Sequence, residues 1–297
     1  MRSDDESGFL ARTIPAADGL KLHVRDYVGD EAATGMRPAI FCLPGLTRNS
    51  RDFHQLALLL SRDAANPRRV ITLDARGRGA SEWDADKSHY NLVVEAQDVL
   101  TVCSALALPH AIFIGTSRGG LVLHVIAASR PDILKAVILN DIGPVLEKRG
   151  LADIRDYLNR DKKPSDWDDA VEILRENHGS AFSALSEDDW RDMAFAIYAP
   201  RDGKPVPDYD PAIAAQMQAL DLEAPIPDLW PQFQGFQDIP LMVIRGENSK
   251  LLVQSTTDEM ASRHPGMVIK IARGQGHAPI LHLADIPDAI RSFISEF

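Results

Sequence analysis

The sequence predicts an α/β protein with a mainly parallel, twisted sheet, helices on both faces of the sheet and an inserted helical cap. Three observations lead to this fold class. Apolar runs of strand length alternate along the chain with apolar positions at helical spacing. Most of these runs are apolar at every residue, which is typical of parallel strands buried on both faces. The alternation stops between residues 142 and 236 and then resumes.

The first part of the alternation defines most of the sheet. The segment 20–28 alternates apolar and polar residues, as a half-buried strand near a sheet edge does. Buried strands are predicted at 38–43, 70–73, 111–115 and 136–139, and helices at 53–60, 91–106 and 118–130. Because a helix between two strands of one sheet makes a right-handed crossover, these strands are predicted to be parallel.

The interruption predicts a second unit. Residues 142–236 contain no buried-strand run, and they show amphipathic helical patterns, two of which open with capping boxes, Ser165-x-x-Asp168 and Ser186-x-x-Asp189. Strands then resume at 240–245 and 267–271, and a last helix covers 286–297. We therefore expect a core formed by 1–141 and 237–297, with a helical cap at 142–236.

Composition excludes several classes of function. The net charge of −11 is spread over 297 residues without a basic block, which argues against nucleic acid and anionic membranes as partners. No apolar run could serve as a signal peptide or membrane helix, so a soluble, cytoplasmic protein is expected. Cys42 and Cys103 are isolated and are predicted to be reduced core thiols. No cluster has metal-ligand spacing, so neither a metal nor another cofactor is predicted.

One motif carries the candidate chemistry. Gly115-Thr116-Ser117-Arg118-Gly119 joins a predicted buried strand directly to a predicted helix. A serine at so sharp a turn is held away from the sheet, and its glycine neighbours let the strand and the helix pass without a clash. The context therefore predicts Ser117 as a nucleophile.

Four stretches together resemble the α/β-hydrolase fold family, and in particular its small capped serine hydrolases. They are Leu43-Pro44-Gly45-Leu46, the run from Asp74 to Ser81, the motif around Ser117, and Gly274-Gln275-Gly276-His277-Ala278-Pro279. The resemblance covers about 20–141 and 238–297. It implies catalytic residues in the order serine, acid, histidine. It also implies that Arg76, within the second stretch, is an internal ion-pair partner.

The base and the oxyanion hole follow from this comparison. A serine hydroxyl needs a base within hydrogen-bond reach, and His277 lies in a turn after the last strand, whereas His282 has no such turn. The backbone N–H groups of Leu46 and Arg118 are the implied oxyanion donors. The chain departs from many relatives at Pro44, where they have histidine, but a backbone donor does not depend on that side chain. The Arg118 side chain either steers an anionic group or is solvated.

The acid is ambiguous. Relatives usually carry it after the strand that ends here at Gly246, but Lys250 stands about where the aspartate is expected. A cation facing the imidazolium would be repelled by about 4 kcal/mol at ~4 Å, so Lys250 is expected to point away or to be neutralised. Asp141 ends the preceding core strand, and Glu247 lies nearer the usual position. Asp141 is the preferred acid and Glu247 is the alternative. A third option is that neither of the two is the acid.

These residues predict a serine hydrolase of a small carboxylic ester or lactone, working through an acyl-enzyme, with carbon–carbon bond hydrolysis as a variant. Two rivals are a ligand-binding, receptor-like protein on a hydrolase shell and an acyltransferase. The expected partner is a small-molecule substrate, and the oligomeric state is not predicted. Three tryptophans are candidates either to line the substrate pocket or to pack inside the cap, namely Trp167, Trp190 and Trp230.

Overall fold

An eight-stranded sheet forms the centre of the protein in the computed structural model, which describes residues 7–28, 37–159 and 162–297. The strands are β1 (Leu10–Pro15), β2 (Lys21–Tyr27), β3 (Ile40–Leu43), β4 (Val70–Asp74), β5 (Ala111–Thr116), β6 (Leu134–Asn140), β9 (Leu241–Gly246) and β10 (Val268–Ala272). The order across the sheet is β1-β2-β4-β3-β5-β6-β9-β10. Only the pairs β1–β2 and β2–β4 are antiparallel among these strands. Residues 1–6, on which part of the signal-peptide expectation rests, lie outside the described residues.

Helices cover both faces of this sheet. The core helices are α1 (His54–Ser61), α2 (Leu92–Ala105), α3 (Arg118–Ser129), α9 (Gln254–Arg263) and α10 (Ile286–Ile294). One apolar cluster includes Val102 of α2 and Leu123 of α3, and a second includes Leu56 of α1 and Ile290 of α10. The predicted α/β fold class, a mainly parallel sheet between two helical layers, is confirmed.

The segment between β6 and β9 is mostly helical. It contains α4 (Lys148–Leu158), α5 (Trp167–His178), α6 (Glu187–Ile197), α7 (Pro211–Gln218) and the short α8 (Trp230–Phe233), together with a hairpin of β7 (Tyr198–Arg201) and β8 (Lys204–Pro207). Side chains of α5 and α6 form a small apolar cluster of their own, which includes Leu174 and Met193. The division of the chain into core and cap stays a prediction.

Several details differ from the sequence-based expectations. Strand β1 was not expected, because most of its residues are exposed and no buried run marks it. Helix α9 and the β7–β8 hairpin were also not expected. Helix α5 is capped by Asp166, whose side chain accepts the N–H of Asp169, so the predicted box at Ser165 and Asp168 is one residue too early. The predicted box at Ser186 and Asp189 is present.

Candidate active site

Ser117 lies at a sharp turn between β5 and α3. Its backbone has a φ of +50°, and α3 begins at the next residue. A Cβ atom on Gly119 would lie 2.3 Å from the main-chain oxygen of Leu43, and one on Gly115 would lie 2.7 Å from the main-chain nitrogen of Gly120. Distances this short leave no room for a side chain. The two glycines therefore let α3 approach the sheet closely enough to present the Ser117 hydroxyl beyond the strand ends.

His277 contacts Ser117 directly. Its Nε2 atom is 2.9 Å from Ser117 Oγ, and its ring lies in the loop that follows β10. The same loop is held by Asn140, whose side-chain amide donates to the main-chain oxygen of Pro279 at 2.9 Å. The imidazole is thus fixed from the end of β6 as well as from β10.

Asp141 is the carboxylate that contacts the other imidazole nitrogen. Its Oδ2 atom is 2.8 Å from His277 Nδ1, and the residue is fully buried. The carboxylate also accepts the backbone N–H of Gly246 at 2.7 Å and the hydroxyl of Ser249 at 2.5 Å. Because a carboxylate can only accept, it selects the His277 tautomer with hydrogen on Nδ1. The Nε2 lone pair then faces the Ser117 hydroxyl.

Asp141 follows the last residue of β6 and has a φ of +55°. Its backbone N–H donates to the main-chain oxygen of Ile244 in β9, the strand next to β6. The residue thus turns out of the sheet at the same edge as Ser117, one strand away. Adjacent parallel strands bring the two residues together although they are 24 positions apart in sequence.

The other candidates around β9 lie elsewhere. The carboxylate of Glu247 accepts the backbone N–H of Gly274 at 2.7 Å, so it braces the start of the loop that carries His277. Lys250 forms an ion pair with Asp153 of α4, with 2.7 Å between Nζ and Oδ2. Its charge is therefore neutralised by a carboxylate, which is one of the two outcomes that the sequence analysis expected for Lys250.

The two predicted oxyanion donors flank Ser117. Leu46 lies in a turn closed by a hydrogen bond from Arg48 N–H to the main-chain oxygen of Gly45 at 3.2 Å. A Cβ atom on Gly45 would lie 3.8 Å from Ser117 Cβ, so this turn is adjacent to the nucleophile. Among the described residues, no backbone or side-chain acceptor takes the N–H of Leu46 or of Arg118. Their role in binding an oxyanion stays a prediction.

The Arg118 side chain does not extend freely into solvent. Its guanidinium forms hydrogen bonds of 2.9 and 3.0 Å to the buried Glu95 and one of 3.2 Å to the main-chain oxygen of Tyr90. The idea that this side chain steers an anionic group therefore loses its basis.

Ser117 and His277 open onto a cavity of about 800 Å³. The cavity wall combines apolar and polar groups from the helical segment, including Ile154, Tyr157, Met193 and Tyr198. His282 also lines the cavity, and burial lowers the pKa of its imidazole, which favours the neutral form. A cavity of this size and mixture suits a small organic molecule with a few polar groups.

None of the three tryptophans predicted as pocket candidates lines this cavity, so the prediction that they contact substrate is corrected. Trp190 is 4% exposed and packs in the apolar cluster of the helical segment. Trp167 packs against Phe195, with the two rings tilted by 39° and their centroids 4.5 Å apart. The ring of Trp230 lies under the guanidinium of Arg263 at 3.8 Å. The sequence offered pocket lining and packing inside the cap as alternatives for them, and the way each helix faces decides between the two.

Potential metal ligands gather at one place in the part of the chain that the structure describes. Asp18, Asp84 and His89 lie close together, away from the cavity. Arg76 already donates to both carboxylates, at 3.0 Å to Asp18, and it also pairs with Asp98 at 2.7 Å. A cation would have to displace this guanidinium. No helix among the described residues has the length and apolar character needed to span a bilayer.

Sequence reasoning missed two residues of the site. Ser249 and Asn140 were assigned no role, yet one binds the carboxylate of Asp141 and the other holds the His277 loop. A signal for both was present, since each follows or ends a strand at the edge where Ser117 lies. The polar residues at that edge could have been treated as one group.

Comparisons with known proteins agree with this geometry. Residues 38–281 match the family described as the alpha/beta hydrolase fold. The chain is 30% identical to a 3-hydroxybutyrate-oligomer hydrolase of Cupriavidus necator, with 94% of each chain covered. It is 28% identical to a 2-(acetamidomethylene)succinate hydrolase of Mesorhizobium japonicum, covering 91% of this chain and 89% of that protein. An alpha/beta hydrolase from Novosphingobium aromaticivorans has a similar crystal structure, with a TM-score of 0.89, 34% identity and coverage of 98% and 99%.

Proposed function

Because the chain belongs to the α/β-hydrolase fold family and is a hydrolase, we propose that it hydrolyses small carboxylic esters or lactones through an acyl-enzyme on Ser117. One observation carries the proposal. Hydrogen bonds run without a break from the Ser117 hydroxyl through His277 to the buried Asp141. That arrangement suits addition of a hydroxyl to a carbonyl carbon.

In the proposed mechanism, Ser117 Oγ attacks the ester carbonyl while His277 Nε2 takes the hydroxyl proton. The carbonyl oxygen becomes an oxyanion facing the N–H groups of Leu46 and Arg118, which stabilise it. The protonated His277 then gives its proton to the leaving alkoxide, and the ester bond breaks. Water, deprotonated by His277, attacks the acyl-enzyme, and collapse of that second tetrahedral intermediate releases the acid and free Ser117.

Asp141 acts on this sequence through charge and orientation. Its carboxylate stabilises the imidazolium that forms when His277 takes the proton. The hydrogen bonds from Gly246 and Ser249 hold the carboxylate in place, since they anchor both of its oxygens.

The name of one relative supports an ester substrate, and the names of both indicate small substrates. One relative is a 3-hydroxybutyrate-oligomer hydrolase, and units of a hydroxy acid in an oligomer are joined by ester bonds. The other acts on 2-(acetamidomethylene)succinate, a small molecule with two carboxylates. Both are compatible in scale with a cavity of about 800 Å³. We therefore place short esters of hydroxy acids first among the substrates to be tested.

The alternative of a receptor-like, ligand-binding protein no longer has the argument that supported it. It arose because Lys250 occupies the usual place of the acid, whereas Asp141 provides a carboxylate from the neighbouring strand. An acyltransferase would use the same acyl-enzyme and differ only in the acceptor. Product analysis with added alcohol separates the two, because transfer yields a new ester in place of the acid.

The test uses purified protein with 4-nitrophenyl acetate, a 3-hydroxybutyrate dimer and a small lactone. We expect a burst of nitrophenol followed by steady turnover, and labelling of Ser117 by an alkyl fluorophosphonate. Ser117→Ala should lose both the burst and the label. His282→Ala is the matched control, because His282 lines the same cavity without touching Ser117, and it should keep the label. Unchanged turnover in Ser117→Ala, or no turnover by wild type on any of these substrates, contradicts the proposal.

A further inference from the structure

The guanidinium of Arg78 is buried behind the turn that contains Leu46. Arg78 is 0% exposed, and its Nε donates to the main-chain oxygen of Leu46 at 2.5 Å. Its Nη1 donates to the main-chain oxygen of Arg76 at 2.8 Å and to Glu95 at 3.2 Å. The Leu46 turn is thus held on both sides, by Arg78 from behind and by its own hydrogen bond between Gly45 and Arg48.

Glu95 connects this arginine to the second predicted donor. It lies in α2, is 4% exposed, and accepts hydrogen bonds from Arg78 and from Arg118, the first residue of α3. Burial opposes the charge on Glu95, yet the guanidinium groups of Arg78 and Arg118 hold the pKa of its carboxyl below the usual value. The carboxylate therefore stays charged between two cations that belong to the two sides of the predicted oxyanion hole.

We propose that Arg78, Glu95 and Arg118, here called the guanidinium clamp, position the two oxyanion donors relative to each other. The inference rests on the proposed acyl-enzyme function and adds positioning residues to it. Arg78 sets the orientation of the Leu46 turn, and the Arg118 side chain sets the start of α3. Glu95 ties both to one rigid helix. None of the three side chains contacts substrate in this assignment.

Geometry makes such a clamp consequential. Oxyanion stabilisation depends on donors preorganised at about 2.7–3.1 Å from the developing charge, so a small displacement of one turn weakens it. The Leu46 turn is a loop without a helix or strand of its own, and Arg78 supplies the rigidity that the loop lacks.

Arg78 also lowers the stability of the fold, because one of its nitrogens is buried without a partner in the part of the chain that the structure describes. Arg78 Nη2 is buried and has no hydrogen-bond partner among the described residues. Leaving a buried polar group without a hydrogen bond destabilises a fold, and an apolar residue of similar length would avoid that penalty. A guanidinium retained under this penalty fits a positioning role, because only its forked shape reaches Leu46 and Glu95 together.

The test compares two conservative substitutions in the same turn, Arg78→Lys and Arg76→Lys. Both replace a fully buried guanidinium by a single point charge, but Arg76 pairs with Asp84 and Asp98 and does not touch the Leu46 turn. Arg76→Lys therefore shows how much the rates and the stability change when any buried guanidinium in this turn becomes an ammonium. Readouts are the burst rate and its half-saturation with 4-nitrophenyl acetate, the rate of Ser117 labelling by the fluorophosphonate, and the urea midpoint.

We expect Arg78→Lys to lower the burst rate and the labelling rate by about 10- to 100-fold, less than the full loss of an oxyanion donor, with half-saturation changed by less than about twofold. Arg76→Lys should keep both rates within about twofold, whatever its urea midpoint. Glu95→Gln is the second variant, and it should lower the same rates because both arginines lose their charged partner.

Three results overturn the inference. The first is an unchanged labelling rate in Arg78→Lys or, where that variant does not fold, in Glu95→Gln. The second is an equal loss of rate in Arg76→Lys. The third is a change confined to half-saturation. Failure of wild type to label at Ser117 instead overturns the proposed function itself, so the two failures are distinguishable.

Discussion

Replacement of Asp141 by asparagine is the sharpest perturbation of the site. One carboxylate oxygen accepts the N–H of Gly246 at 2.7 Å, and the other accepts from Ser249 and His277. In Asp141→Asn the amide must keep its oxygen toward Gly246, because that backbone N–H cannot reverse. The NH₂ group then faces His277 Nδ1 and donates to it.

The tautomer of the imidazole changes as a result. An Nδ1 that accepts requires the hydrogen on Nε2, and Nε2 lies 2.9 Å from Ser117 Oγ, so this hydrogen faces the hydroxyl oxygen. His277 can then no longer take the serine proton. Loss of the correct tautomer in a comparable triad lowers kcat by about 10⁴-fold. We expect a loss of about 10³- to 10⁴-fold here, which corresponds to about 4–5 kcal/mol in activation free energy.

The assay is the burst rate with 4-nitrophenyl acetate, measured with Glu247→Gln as the matched control. Glu247 is also an acid near β9, but it contacts Gly274 and not His277. Glu247→Gln keeps an oxygen for that N–H and should retain at least half of the wild-type rate. Near-full turnover in Asp141→Asn, with loss of turnover in Glu247→Gln, would refute the assignment and make Glu247 the acid.

Three further predictions concern neighbouring features. Ser249→Ala removes the hydroxyl 2.5 Å from Asp141. It should lower kcat by about tenfold with KM unchanged, as expected for a hydrogen bond to a charged group, and an unchanged kcat would count against the support ascribed to Ser249. Gly119→Ala places a Cβ 2.3 Å from a main-chain oxygen and should destabilise the fold by about 1–3 kcal/mol in urea titration. Gly266→Ala meets nothing closer than 3.9 Å and is its control, so equal midpoints for the two variants would contradict the steric account. Burial lowers the pKa of His124 to about 4, whereas in the unfolded chain this imidazole titrates near the ordinary histidine pKa of 6.5. Unfolded chains therefore bind this proton first, and stability should fall by up to about 3 kcal/mol as pH drops from 6.5 to 4. His124→Leu should flatten that part of the curve in urea titrations at several pH values, and an unchanged slope would contradict it.

The core was predictable because its strands are buried on both faces. Runs such as 111–115 and 136–139 are apolar at every residue, and this pattern has few other readings. Asp141 was preferred because it follows β6, where some proteins of the resembled fold family carry their acid, and because parallel strands end at one edge of a sheet. The order of elements along the chain thus led to the residue that contacts His277, whereas Glu247, chosen from the position that relatives usually use, contacts Gly274.

Elements that lack a continuous buried apolar run could not be predicted in this way. Strand β1 is largely exposed, and the β7–β8 hairpin contains three prolines, which argue against a strand. A local signal for the hairpin existed in Asp202-Gly203, since both residues have a positive φ, as the tightest hairpin turns require. The orientation of Trp167 and Trp230 depended on helix packing, which periodicity alone does not determine.

Ser117 and Asp141 both have a positive φ. On the proposed mechanism, this backbone strain lowers the stability of the fold at two residues that the reaction needs. Each such angle in a residue with a side chain costs about 1–3 kcal/mol, and glycine would adopt it more readily. A screen for thermal stability that does not measure activity would therefore tend to enrich replacements at these two positions. On the proposed mechanism, the selected variants would be stable but inactive. On the proposed mechanism, directed evolution of a more heat-resistant form has to score product formation in every round, because replacements that relieve this backbone strain also remove a group that the reaction needs.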